Sequence, residues 1–442
     1  MRRSSTLLFA LTIVLAAGTC DYYFGLFLPE SRRHSQARQM SVRYSYGGDF
    51  YPIWLTGRAL FQQRTNPYTP ETTRDIQIGL YGRPMDLHHP GDFPPSYRAF
   101  SYPIYADLLA APLLPFRFEL VRLVLTLILL SLTVVSVILW LGATRIRFSR
   151  TNLAIAVILT LISYPVLEGL YAGQAGLLVG AAIALSVYAL TKDRPWLAGV
   201  ALAIAAAKPQ MMLLLCIYLF FFWPLSQWQR RKAFFFSFTG SMFILVAASE
   251  VILPGWFSGW WHAVTEYSTY TTMPLPQLVL GRPFGTSVSF ALLAFAIAVA
   301  WRTRTEPAPT DTFLLAVILI LAVTVLLLPT ADEVYDQVLL LPAILWGISR
   351  RKQLWNGRLP WRILAITGVV ALSWQWLTPT LVALCGLVSP AWEHSQILLA
   401  LPLRLAASLP FVVFAIVSWF AIRAIWITRK DRATTSVALT PP

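Results

Sequence analysis

The sequence predicts an all-α polytopic membrane protein of about twelve transmembrane helices, with one large polar loop on the outer side. Three observations carry this. The 442-residue chain is 57% hydrophobic and only 12% charged, about half the charge fraction of a soluble domain. Many of its apolar runs reach the ~17–25 residues that cross about 30 Å of hydrocarbon as a helix. Lys and Arg gather in short clusters between those runs, as positive-inside topology requires. The alternating short segments of an outer-membrane barrel are absent. Because the net charge of +15 sits in those loop clusters, no nucleic-acid partner is expected.

Apolar runs cover residues 6–28, 120–142, 152–170, 175–190, 195–207, 209–224, 233–253, 283–301, 313–329, 336–349, 361–383 and 396–427. The first follows Arg2 and Arg3 and imitates a signal peptide, but the many later spans favour an uncleaved first helix. Basic clusters lie at Arg145/Arg147/Arg150, Lys192/Arg194, Arg230–Lys232, Arg302/Arg304, Arg350–Lys352 and Arg429/Lys430/Arg432. Placing all of them in the cytoplasm gives twelve crossings in a single integral membrane domain, 1–442. Residues 29–119 then form the first extracytoplasmic loop with juxtamembrane helices, and 428–442 a cytoplasmic tail. On that path YPIYADLLAAPLLPF (102–116) is a surface or re-entrant helix, since a full crossing there would put the cluster at 145–150 outside. The stretch 195–224 must cross twice, so its turn near Lys208–Pro209 is tight and membrane-embedded.

Of the twenty Asp and Glu, only Asp193, Glu306, Asp311 and Asp431 fall on the cytoplasmic side of this path. Short basic loops explain part of that asymmetry. They do not explain acids inside the hydrophobic boundary near Asp107, Glu168, Glu250 and Asp336, and the excess points to chemistry facing outward.

Four constellations could carry it. In GGDFYPIWLTGR, Asp49 follows two glycines and is accompanied by Phe50, Tyr51 and Trp54. Partial burial among rings suits a carboxylate to general-base work, and rings suit sugar faces; an interfacial aromatic belt around a solvated acid is the plainer alternative. In LLLPTADEVYDQVLLLP, Asp332, Glu333, Asp336 and Gln337 sit between apolar runs, with Asp332 and Asp336 sharing a face if the helix continues; a solvated turn is the alternative. Lys208 stands alone in apolar sequence, where it snorkels or meets an anion such as a lipid phosphate. In YAGQAG, Gly173 and Gly176 permit close helix approach and Gln174 can hydrogen-bond a hydroxyl, although packing alone also accounts for them. No metal is expected: Cys20, Cys216 and Cys385 lack ligand spacing, as do His88, His89, His262 and His394, which read as surface residues. Nothing resembles a nucleotide-binding or nucleophile-elbow motif.

Taken in order, GGDFYPIWLTGRALFQQRTNPY, FSYPIYADLLAAPLLPF, GQAGLLVGAAIALSVYAL and RPWLAGVALAIAAAKPQ resemble the polyprenol-phosphate-dependent mannosyltransferases of glycosyltransferase family 87. The resemblance covers most of residues 45–225. It implies a GT-C-type bundle whose first outer loop carries surface helices. It also implies transfer of a hexose, mannose by analogy, from a polyprenyl-phosphate donor to a glycolipid or glycan hydroxyl at the outer membrane face, with inversion and without a cofactor. The loop acid that serves as base maps to Asp49. Lys208, in a matching Lys-Pro pair with Gln210 beside it, would contact the donor phosphate, helped by Arg58 or Arg282. Tyr51, Trp54, Gln174, Asp332, Tyr335 and Asp336 complete the expected substrate site. The junction near Tyr335 departs from the family, which often places His near Tyr there. The competing expectation is a transporter or flippase with a path along Lys208, Glu168, Glu250 and Asp336; the lack of a repeat between the two halves and the single large outer loop disfavour it.

Overall fold

The computed structural model describes residues 2–37, 45–86, 88, 92, 97–270, 273–329, 334–388, 401–402 and 406–427. Among them helices are the regular secondary structure, and no strand occurs. Asp332, Glu333, His89, His394 and the tail 428–442 lie outside the described residues.

Among the described residues six helices are long and apolar enough to span a membrane: Ser5–Arg33, Phe118–Ala143, Pro209–Ser226, Trp228–Ile252, Arg282–Thr303 and Leu359–Val388. A seventh arises if Arg150–Leu161 and Tyr164–Ala172, bent by 57° at their junction, count as one span. The other five predicted runs appear as shorter apolar helices, Ala175–Thr191, Pro195–Ala205, Asp311–Leu327, Val334–Ser349 and Leu409–Ile425. By length and composition, six helices among the described residues, or seven with the bent pair, meet the requirement for a full crossing. At a rise of 1.5 Å per residue these shorter helices reach about 17–26 Å, below the ~30 Å of hydrocarbon. The helix within 102–116, Ile104–Leu113, is about 15 Å long on the same rise and also falls short of a crossing.

Local chemistry sets the ends. The chain opens with α1 (Arg2–Cys20) and α2 (Leu28–Ala37); in the loop that follows, α3 (Tyr51–Arg58) precedes α4 (Pro70–Tyr81), where the Thr69 hydroxyl caps the Thr72 amide and Gly82 closes the helix in the left-handed region. Next come α5 (Ile104–Ala110) and the long α6 (Phe118–Ala143). Ser149 caps α7 (Arg150–Leu161), and α8 (Tyr164–Ala172) ends on Gly173 at φ 72°. The helices α9 (Ala175–Thr191), α10 (Pro195–Ala205) and α11 (Pro209–Ile217) follow with short turns. Helix Asp311–Leu327 is apolar all round and is buried from Phe313 to Leu326, so it forms the axis of the bundle. It packs against helices 282–303, 209–217 and 409–422.

The basic clusters are not only topological signals. Arg231 is buried, lies 3.9 Å over the Trp223 ring and donates to the carbonyls of Trp223, Arg304 and Glu306. Arg350 pairs with Asp311 at 2.6 Å. These contacts gather residues 223–231, 304–311 and 350 at one end of the bundle. Helices 311–327 and 341–349 run away from that end and back to it, so the Val334–Leu340 turn lies at the opposite end.

Candidate functional site

The first loop is sewn to the end of α8 by its backbone. The Gly47 amide donates to the Tyr171 carbonyl at 2.8 Å, and the Asp49 amide to the Ala172 carbonyl at 2.9 Å. Both Gly47 (φ 79°) and Gly173 (φ 72°) adopt left-handed backbone, and a Cβ on Gly173 would lie 3.3 Å from the Gly47 Cα. Only glycine allows two main chains this close in that conformation.

This seam aims Asp49 at two partners. Gln174 Nε2 donates to its Oδ2 at 2.6 Å, and Arg98 donates to its Oδ1 at 2.5 Å. The donated N–H identifies the other amide atom of Gln174 as oxygen, and that Oε1 is buried without a hydrogen-bond partner. Arg98 is one of four non-glycine residues with positive φ among those described, at 55°. The Asp49 charge raises the pKa of Arg98 well above its ordinary value, and Tyr81, which it hydrogen-bonds, adds to this.

A second pair lies close by. Lys208, in the turn between α10 and α11, is buried and donates to Asp336 Oδ1 at 2.8 Å. The Tyr335 ring lies 4.7 Å from the ammonium. Asp336 rests on α9, since a Cβ on Gly176 would come within 3.0 Å of its Oδ1. The two glycines of YAGQAG thus receive two carboxylate-bearing segments, the Asp49 loop at Gly173 and the Asp336 turn at Gly176.

The remaining expected residues are distributed otherwise. Tyr51 is buried, its ring edge-on to Phe118 and its hydroxyl against Gly79; Trp54 packs on the same ring and donates to the Phe116 carbonyl. These rings belong to the packed interior of the loop domain. The Asp49 carboxylate meets Arg98 and Gln174 instead. Arg58 stacks on Trp54 at 4.9 Å. Gln210 is exposed in the first turn of α11, and Arg282 is exposed at the start of its helix. Lys208, expected to present its charge to an anion, has that charge taken up by Asp336. Val334–Leu340 is a 3₁₀ helix, and the face argued for Asp332 and Asp336 involves Asp332, which lies outside the described residues.

The other embedded acids are held structurally. Tyr23 donates to Glu168 at 2.7 Å, fastening the first helix to α8. Glu250 accepts from the Gly255 amide at the end of its helix. Asp107, on α5, is wholly buried with only a long 3.4 Å contact from Thr56, and burial pushes its carboxyl well above the usual range. Among the described residues no group of three or more His, Cys, Asp or Glu gathers as a metal site.

Arg98 carries no signal in the sequence that points to this site, because no spacing rule links it to an acid 49 positions earlier.

The model of glycosyltransferase family 87 matches residues 100–329, slightly more than half of the chain. Gln174 and Lys208 lie inside that span, Asp49, Arg98 and Asp336 outside it. No curated protein and no solved structure matches the chain.

Proposed function

From the premise that this chain belongs to glycosyltransferase family 87, and is therefore a membrane glycosyltransferase, we propose that it moves a hexose, mannose by family analogy, from a polyprenyl-phosphate donor to a glycolipid or glycan hydroxyl on the outer face of the cell membrane. Family membership decides between enzyme and transporter. Asp49 accepts the proton of the attacking hydroxyl, which displaces the lipid phosphate at the anomeric carbon with inversion. No metal or cofactor takes part.

The observation that carries this reading is the environment of Asp49. Its carboxylate is partly buried and oriented by Gln174, whose free Oε1 is a ready acceptor for a sugar hydroxyl. A base fixed from two sides next to an unsatisfied acceptor suits binding and deprotonation of a polyol. Lys208 and Asp336, with the Tyr335 ring 4.7 Å from the ammonium, form the donor-side wall of the same site. Asp332 and the exposed Gln210 and Arg282 are proposed as peripheral substrate contacts, and Arg58 with Trp54 as part of the loop's support.

Purified full-length protein in lipid nanodiscs, supplied with labelled polyprenyl-phosphate mannose and acceptor membranes, tests the proposal. The wild type should form labelled glycoconjugate, and Asp49→Asn should reduce it by about 10²–10⁴-fold. Full transfer by Asp49→Asn would remove Asp49 as the base.

A further inference from the structure

Displacing a lipid phosphate by a hydroxyl moves two charges together. The bond between the anomeric carbon and the phosphate oxygen breaks, and its electron pair stays on that oxygen. The lipid phosphate thus goes from one negative charge to two. The acceptor oxygen bonds the anomeric carbon and yields its proton to Asp49, whose carboxylate becomes neutral. A cation that met the carboxylate before this step is freed as the phosphate comes to need one.

Most cations near the site are unsuited to that part. Lys208 is buried, at 4% side-chain exposure, against Asp336. Arg58 stacks on Trp54 and Arg122 on Tyr46. Arg98 differs on three counts. It is bonded to Asp49 itself, 42% of its side chain remains accessible, and its backbone sits in the left-handed region. Strained backbone of this kind persists where the surrounding structure holds it, and it clusters at functional sites. Its guanidinium also hydrogen-bonds Tyr81. Arg98 is thus paired with the base and still open to a second partner.

Resting on the reading of this chain as a lipid-phosphate-dependent glycosyltransferase, we infer that Arg98 is a catalytic residue that pairs with Asp49 at rest and turns its charge to the leaving lipid phosphate as Asp49 takes the acceptor proton. The planar fork of arginine can keep one N–H on a carboxylate while another meets a phosphate oxygen; a lysine ammonium lacks that geometry.

The test uses the full chain in nanodiscs with short-chain polyprenyl-phosphate mannose as donor and envelope membranes as acceptor. If the wild type transfers no sugar, the functional reading itself fails. Given wild-type transfer, Arg98→Gln should lower kcat by about 100-fold, the size of effect seen for a lost transition-state donor, with donor KM changed less than about threefold. Arg98→Gly should recover part of that loss when guanidinium is added, which repair of a merely structural contact would not produce. Where the shorter side chains prevent folding, Arg98→Lys is read instead, with kcat expected about tenfold down. An Arg98→Gln enzyme within threefold of wild type, an Arg98→Gly enzyme that ignores guanidinium, or an unchanged Arg98→Lys would overturn the inference while leaving the functional reading intact.

Discussion

Lys208 Nζ donates to Asp336 Oδ1 across 2.8 Å, with both side chains almost wholly buried. These residues are 128 positions apart. Their pairing joins the α10–α11 turn to the 3₁₀ turn after the central helix, and it supplies each charge with the counter-charge that a membrane interior otherwise withholds.

Removing one partner should therefore cost more than removing both. Lys208→Met or Asp336→Asn leaves a buried charge uncompensated, a loss of about 3–5 kcal/mol. The double variant should recover much of it. Thermal unfolding of detergent-solubilised protein reads this, and single variants with wild-type melting temperatures would contradict the burial of the pair.

Gln174 is held between α8 and α9 to orient the base. Gln174→Leu removes an N–H···carboxylate bond of the charge-assisted kind, worth about 1.5–3 kcal/mol. Transfer should fall by roughly 10–100-fold, and the melting temperature should fall with it. Gln174→Glu should do worse near neutral pH, because two carboxylates 2.6 Å apart cannot both ionise freely. An unaffected Gln174→Leu enzyme would show that Asp49 needs no such support.

The glycine seam predicts a different signature. Gly173→Ala forces a side chain into left-handed backbone and against the Gly47 Cα at 3.3 Å, costing about 1–2 kcal/mol from the backbone alone. Both stability and activity should drop, since the Asp49 loop is anchored there. Gly82→Ala, also at positive φ but with no atom within 4 Å of the added carbon, should lower stability while sparing kcat.

Asp107 predicts a pH dependence. Its carboxyl is raised well above 3.8 by burial, so between its unfolded and folded pKa the native state binds more protons than the unfolded chain. Stability is therefore greatest below the unfolded value and declines as pH rises through the window, by up to about 1.4 kcal/mol per pH unit. Asp107→Asn, neutral at every pH, should flatten that slope in melting temperature against pH. A variant with the wild-type slope would assign the effect to other groups.

Much of the fold was legible along the chain. Helix positions follow from apolar runs and from the Arg and Lys clusters that interrupt them, because desolvating a backbone forces helix formation wherever such a run occurs. The end of α8 at Gly173 and the break at Lys208–Pro209 were marked by glycine and proline, whose effects are local.

What the sequence by itself determined is the class of molecule, the placing of its helices and the presence of Asp49, Gln174, Lys208 and Asp336 at their interruptions. Only the tertiary structure decided that Asp49 meets Arg98 and Gln174, that Asp336 takes up the charge of Lys208, and that Tyr51 and Trp54 turn into the packed loop domain. The physical reason is range. Hydrophobic periodicity and capping act over a few residues, whereas these contacts join positions 49, 125 and 128 apart. They exist because whole helices pack, at glycines 173 and 176, closely enough to bring them together.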